Sequence, residues 1–375
     1  MLSTISDFWK NVQYRLFPLV EEETGPLRKA HLRLVAILEF INIEKFVPRH
    51  YGAVGRPRKD RINLARAFVA KVLLKLKYTS QLREHILSDK QLRRICGWAS
   101  HKEVPSESKF SRAFREFAES NLPELAHESL IRTVYQDSIV GHLKVDSTPV
   151  EAREKEITPA KLKKKKGKPG RPPKGEVRAK KKTRSERQAS EEISVDEMLA
   201  EIPKHCAVAM KKKPGLSNYI WKGYKLHLAV DDLCVPLVAL VTSASVNDHE
   251  VAIPLTLKAE KRFAFFYELM DSAYDVDAVQ TYIRSRGHVP IVDKKPYNSA
   301  QKVEKEAERK RRKLLNWYPA DTIRYRERFQ GERPNSLLKE YYGAGDVQYK
   351  GYTKVTCHLM FGVLVLAANT LLGFG

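Results

Sequence analysis

The sequence predicts an α/β protein, a mixed sheet with flanking crossover helices preceded by an all-helical region. Three observations carry this. Residues 1–135 repeat apolar side chains at helical spacing, and from Gly141 onward short extended runs alternate with helical stretches. Their order is strand, insertion, two hairpin strands, helix, strand, helix, strand, helix, which suits a sheet whose parallel members are joined by crossovers. The boundaries read from this are a helical domain at 1–135 and an α/β domain at 140–372, the latter interrupted by a basic, largely disordered insertion at 158–215.

In the helical part, HLRLVAILEFINIEKF and RINLARAFVAKVLLKLK are amphipathic, and Thr79–Ile95 reads as one further helix stopped by Gly97. PSESKFSRAFREFAESNLPEL opens with Pro105 and a capping hydroxyl at Ser106 or Ser108, and sets Phe110, Phe114 and Phe117 on one stripe. Lys109, Arg112 and Arg115 lie opposite. That face could rest on DNA as a helix-turn-helix unit does, and it equally suits a solvated surface.

The α/β part starts with His142–Val145, an extended run predicted to end at Asp146, where Ser147, Thr148 and Pro149 force a turn. A carboxylate at a strand end is where open α/β sheets place functional groups, and also where a turn-forming Asp sits for local reasons. WKGYKLHLAV and CVPLVALVT form a hairpin around Asp231 and Asp232, and HEVAIPLTLKAEKRF reads as the helix that follows. FAFFYEL is a strand that runs through Met270 to Asp271; VDAVQTYIRSRG is a helix and VPIV a last short strand. Leu359–Ala368 is an apolar run of ten, too short to span a bilayer and expected as a buried core helix.

Composition limits the partners. The 375 residues are 42% hydrophobic and 30% charged, with a net charge of +23, so a polyanion, nucleic acid first, is the expected partner. No basic amphipathic anchor or signal-peptide core points to a membrane. The four cysteines form no CxxC pair, which fits a reducing compartment and neither a zinc module nor a disulfide framework. Residues 161–187 hold 14 Lys or Arg against 2 Glu, a net of +12 that no core can absorb. GRPRK, with Arg56 and Lys59, and KPGRPPK, with Arg171, resemble minor-groove AT-hook cores, while unspecific attraction to phosphate needs only their charge. The 11 His show no paired metal-ligand spacing, and GLSNY and GAGD lack the flanking pattern of a phosphate loop.

Chemistry concentrates in Tyr325–Lys339, YRERFQGERPNSLLK. On one helix Tyr325, Arg328, Glu332 and Lys339 would fall within roughly 60° of arc, a face with a carboxylate between cations, suited to a divalent metal and a phosphate. Pro334 sets a limit: either the helix starts near it, which takes Tyr325 and Arg328 off that face, or the helix kinks there. Asp146 and Asp271 would end side by side if their strands are neighbours. With Glu332 they make three carboxylates that need cations between them, and two Mg²⁺ ions roughly 3.5–4 Å apart would serve an in-line attack on phosphorus.

The chain resembles DDE transposases of bacterial and archaeal insertion sequences, in the branch marked by Tyr, two residues, Arg, three residues, Glu, six residues, Lys. Tyr325, Arg328, Glu332 and Lys339 match that signature at every spacing, VDSTPV and MDSAYD resemble its first and second acidic blocks, and WKGYKLHLAVD the segment between them. The resemblance implies a ribonuclease H-like core and cutting of element ends followed by strand transfer into target DNA. It implies Asp146, Asp271 and Glu332 as ligands of two Mg²⁺ ions, with Mn²⁺ as a substitute, and Tyr325, Arg328 and Lys339 as contacts to the DNA backbone. The expected partners are double-stranded DNA, both element ends and target, and a second copy of the chain, with no membrane and no small-molecule cofactor. The expected location is the cytoplasm, at the nucleoid. Two rivals share the residues: a nuclease of the same fold without strand transfer, and a DNA-binding protein that has lost catalysis.

Overall fold

The computed structural model describes residues 25–48, 59–157, 182–190, 192–211, 217–294, 296 and 298–374. Its helical part comprises α1 (Lys29–Ile41), α2 (Arg61–Leu73), α3 (Thr79–Ser88), α4 (Lys90–Cys96), α5 (Glu107–Glu119) and α6 (Leu122–Tyr135). The helix expected over Thr79–Ile95 is two helices. Asp89 takes an extended conformation between them, and its side chain accepts the Leu92 N–H at 2.9 Å. A local Asx cap outcompetes continuation of the helix. The Phe stripe of α5 is buried as the spacing requires; Phe110, Phe114 and Phe117 all face Phe68 of α2.

Among the described residues the sheet holds six strands: β1 (Ile139–Glu151), β2 (Ala207–Lys211), β3 (Tyr219–Val230), β4 (Pro236–Ser243), β5 (Ala264–Met270) and β6 (Val289–Val292). β3 lies antiparallel to β1 on one side and to β4 and β2 on the other, while β5 pairs parallel with β1 and β6 parallel with β5. The crossovers are α9 (His249–Glu260) and α10 (Asp277–Ser285), which follow the short helices α7 (Arg184–Ser190) and α8 (Val195–Glu201) in the chain. This is the mixed α/β architecture that the order of elements predicts.

Two expectations need correction. β1 does not stop at Asp146 but continues to Glu151, with Pro149 paired opposite Lys225. Among the described residues no strand pairs with the β5 side of β1 past Val145, so a proline without an N–H sits on a half-open edge at little cost. The insertion, too, is smaller than its composition suggests. α7, α8 and β2 lie within 158–215 and are built into the domain; Ser185 is buried, with its hydroxyl 2.9 Å from His249 Nδ1. Residues 158–181 and 212–216, which include Arg171, lie outside the described residues, as does Arg56.

After β6 come α11 (Ser299–Leu315), α12 (Ala320–Arg326), a 3₁₀ turn at Glu327–Gly331, α13 (Glu332–Tyr341) and α14 (Tyr352–Leu371). α14 contains the apolar run and is the one helix among the described residues long and apolar enough to cross a membrane. It is instead the centre of the fold. It packs on α1, α2, α5 and α6 as well as on β4, so the helical part and the sheet share a single hydrophobic core.

Candidate active site

Asp146 lies in β1 and Asp271 directly follows β5. The parallel register pairs Val145 with Met270, so the next residue on each strand is one of the two aspartates. The sheet therefore sets the two aspartates at adjacent positions on neighbouring strands. Asp271 also starts a 3₁₀ turn, its Oδ1 accepting the Ala273 N–H at 2.8 Å.

The third acid arrives from a different element. Tyr325–Lys339 is not one helix: α12 ends at Arg326, the 3₁₀ turn follows, and α13 begins at Glu332 with Pro334 in its first turn, where the missing N–H costs nothing. The shared helical face therefore does not exist for Tyr325 and Arg328, yet the bend delivers them to the same place. Arg328 Nη2 donates to Glu332 Oε1 at 3.2 Å, and Nη1 lies 4.0 Å from Asp146 Oδ1. Its guanidinium is 5.8 Å from the centre of the Tyr325 ring. Burial works against the Arg328 charge, but Tyr325, Asp146, Asp271 and Glu332 outweigh it and leave the guanidinium above its ordinary range.

Asp146 carries an electrostatic cost. Burial pushes its carboxyl up to about 6; Arg328 opposes the shift, and the negative charges of Asp271 and Glu332 add to it. Lys339, in the last turn of α13, is lowered by burial and by the nearby Lys211, against the pull of Glu151 and Asp146.

One site residue escaped the sequence reading. Asn335 is buried at 6% exposure, its Nδ2 donates to Asp146 Oδ2 at 2.8 Å, and its Oδ1 has no hydrogen-bond partner. A signal existed, since Asn335 stands three residues after Glu332 and four before Lys339, on their common helical face. His227 and His249 both bond within the fold, His249 through Nδ1 at 2.9 Å from the Ser185 hydroxyl. His227 is buried 2.9 Å from Thr242 Oγ1, with a pKa that burial lowers to about 4.

Among the described residues no three acidic, His or Cys side chains stand close enough to chelate an ion. The guanidinium of Arg328 lies between Asp146 and Glu332, and the Glu332 side chain is 55% exposed. The donor chemistry nonetheless suits a hard divalent cation, because all three acids offer carboxylate oxygens and Asp146 is held at a cost that a cation would relieve. Of the predicted DNA contacts on the helical part, Lys59 and Arg112 are both exposed.

These features gather acidic and basic side chains at the ends of neighbouring parallel strands of a mixed α/β sheet. Residues 141–368, more than half of the chain, match the family model described as Transposase DDE domain, and residues 21–116 match Transposase domain (DUF772). The chain belongs to the DDE transposase family. It is thus a protein of DNA transposition, acting on DNA, with the ribonuclease H-like catalytic domain that the resemblance implies. Among curated proteins and among solved structures, nothing matches it.

Proposed function

We propose that the protein binds the terminal inverted repeats of its insertion sequence, cuts the DNA strand there, and joins the freed 3′-hydroxyl to target DNA. Asp146, Asp271 and Glu332 are the residues that hold two divalent ions, Mg²⁺ by preference and Mn²⁺ as a substitute. When bound, such ions activate the attacking oxygen and offset the charge that develops on the leaving oxygen. The observation that carries this reading is the parallel register of β1 and β5, which sets Asp146 beside Asp271 while Arg328 links Asp146 to Glu332.

The chain's own side chains have the remaining roles. Arg328 holds the site together in the free protein and turns to a DNA phosphate when the ions enter, a task its fork of donors suits. Tyr325 and Lys339 flank it as further backbone contacts. Arg56, Lys59, Arg112 and Arg171 bind DNA away from the reacting phosphate, and the protein works as a dimer on DNA in the nucleoid.

The test is to incubate purified protein with labelled element ends, with and without Mg²⁺, and to map the nicks and joined products. Asp146→Asn and Glu332→Gln are expected to abolish cleavage while leaving DNA affinity nearly unchanged, since binding rests on the cations. Cutting at the wild-type rate by either variant would remove the assignment. Nicks without joined products would favour a nuclease, and binding without nicks a DNA-binding protein that has lost catalysis.

A further inference from the structure

Lys144 lies two residues before Asp146 on β1, and by the alternation of a strand the two share a face of the sheet. Its side chain is fully buried. A buried ammonium is costly unless oxygens surround it, and here there are two: Asp232 Oδ1 at 3.3 Å, from the β3–β4 turn, and Gln330 Oε1 at 3.2 Å, from the 3₁₀ turn. The 3₁₀ turn is tied to the same spot twice more. The Gln330 carbonyl accepts the Cys234 thiol at 3.3 Å, and Gly331 sits against the strand so closely that a Cβ there would lie 3.1 Å from Lys144 Cβ and 3.7 Å from Val230 Cγ2. Lys144 and Val230 are register partners on β1 and β3, so the two strands form the seat and Gly331 rests in it.

We propose that Lys144, Gln330 and Gly331 form a clasp that sets the height of the Arg328–Glu332 segment above Asp146, which makes Lys144 a positioning residue of the catalytic centre. This rests on the reading of Asp146, Asp271 and Glu332 as metal ligands. The clasp sits between the two halves of that set. Asp146 extends from β1 beyond it, and Glu332 starts α13 one residue after Gly331. Sliding the turn by one hydrogen bond would carry Glu332 away from both aspartates. A methionine would fill the space of Lys144 without the desolvation cost, so packing alone does not explain an ammonium at this position. What the ammonium adds is a fixed distance between strand and turn.

The experiment compares Lys144→Met, Gln330→Leu and Gln330→Glu with wild type in the full chain. Three quantities are read: thermal stability without metal, affinity for Ca²⁺ and Mg²⁺ by calorimetry, and kcat and KM for cutting labelled element ends. Loss of an outer partner of a metal ligand set costs about 10- to 100-fold in metal affinity or activity. Lys144→Met and Gln330→Leu are therefore expected to weaken ion binding and lower kcat by that order, with KM for DNA and metal-free stability little changed. Gln330→Glu, which restores an acceptor for the ammonium, is expected to recover most of what Gln330→Leu loses. Should Lys144→Met fail to fold, Gln330→Leu and its rescue decide. Wild-type protein that binds ions and cuts, beside a Gln330→Leu variant that does both equally well, overturns the clasp alone. Wild-type protein that binds no divalent ion overturns the ligand assignment beneath it.

Discussion

At the scale of single residues, Asp146 is held from two sides, by Asn335 at 2.8 Å and by the Arg328 guanidinium at 4.0 Å. Its raised pKa means that the folded, metal-free protein holds a proton there more tightly than the unfolded chain does. Stability from this group is therefore present below the unfolded value of 3.8 and is lost as pH rises toward about 6. Above that, the ionised carboxylate costs the fold on the order of 2–3 kcal/mol. Asp146→Asn is accordingly expected to raise the melting temperature of the metal-free protein at pH 7–8 and to lose that advantage near pH 4, as thermal melts across pH would read. An equal effect at both pH values would mean that burial does not strain the carboxylate. Tyr325, Arg328, Glu332 and Lys339 stood out as candidates because their spacing repeats a known signature, and Asp146 and Asp271 because VDSTPV and MDSAYD resemble its acidic blocks. Asn335 and Lys144 did not, since a polar residue's turn toward the core depends on partners more than 185 positions distant in the chain, Asn335 on Asp146 and Lys144 on Gln330.

At the scale of elements, the order of strands and helices along the chain, the hairpin and the crossovers followed from alternating patterns, whereas the order of strands in the sheet did not. The errors fell where tertiary partners override local signals. Ser147, Thr148 and Pro149 look like a turn until β3 pairs with them, and AVAMK becomes β2 only because the first half of β3 offers it an edge. Helix α13 depends on a close approach of the same kind. A Cβ on Gly362 of α14 would lie 2.5 Å from the Tyr342 carbonyl at the C-terminal end of α13, so the two helices can be this near only because position 362 has no side chain. Gly362→Val is expected to destabilise the fold by about 1–3 kcal/mol and to lower cleavage in proportion to the folded fraction. Reduced cleavage at full stability, measured by denaturant unfolding, would show instead that α13 had shifted without loosening the core.

At the scale of the whole molecule, charge and core are divided along the chain. The acidic centre and the common core lie in the described residues, whereas the net of +12 in 161–187 is concentrated before α7. Because α7 is built into the domain, the basic run is best removed as 161–181, sparing Ser185 and its contact with His249. That deletion is expected to weaken DNA affinity and flatten its dependence on salt while cleavage at low salt persists. An unchanged slope of affinity against salt would show that the run does not touch phosphate. The position of α14 has a consequence in time. Domains tend to fold as units while the ribosome still feeds out the chain, but the helix that joins both parts of this one is the last of the described elements to be translated. A nascent copy can bring β1 and β5 together early, yet the core shared by the helical part and the sheet stays open until α14 has been made, so the two aspartates become neighbours before the fold around them can close.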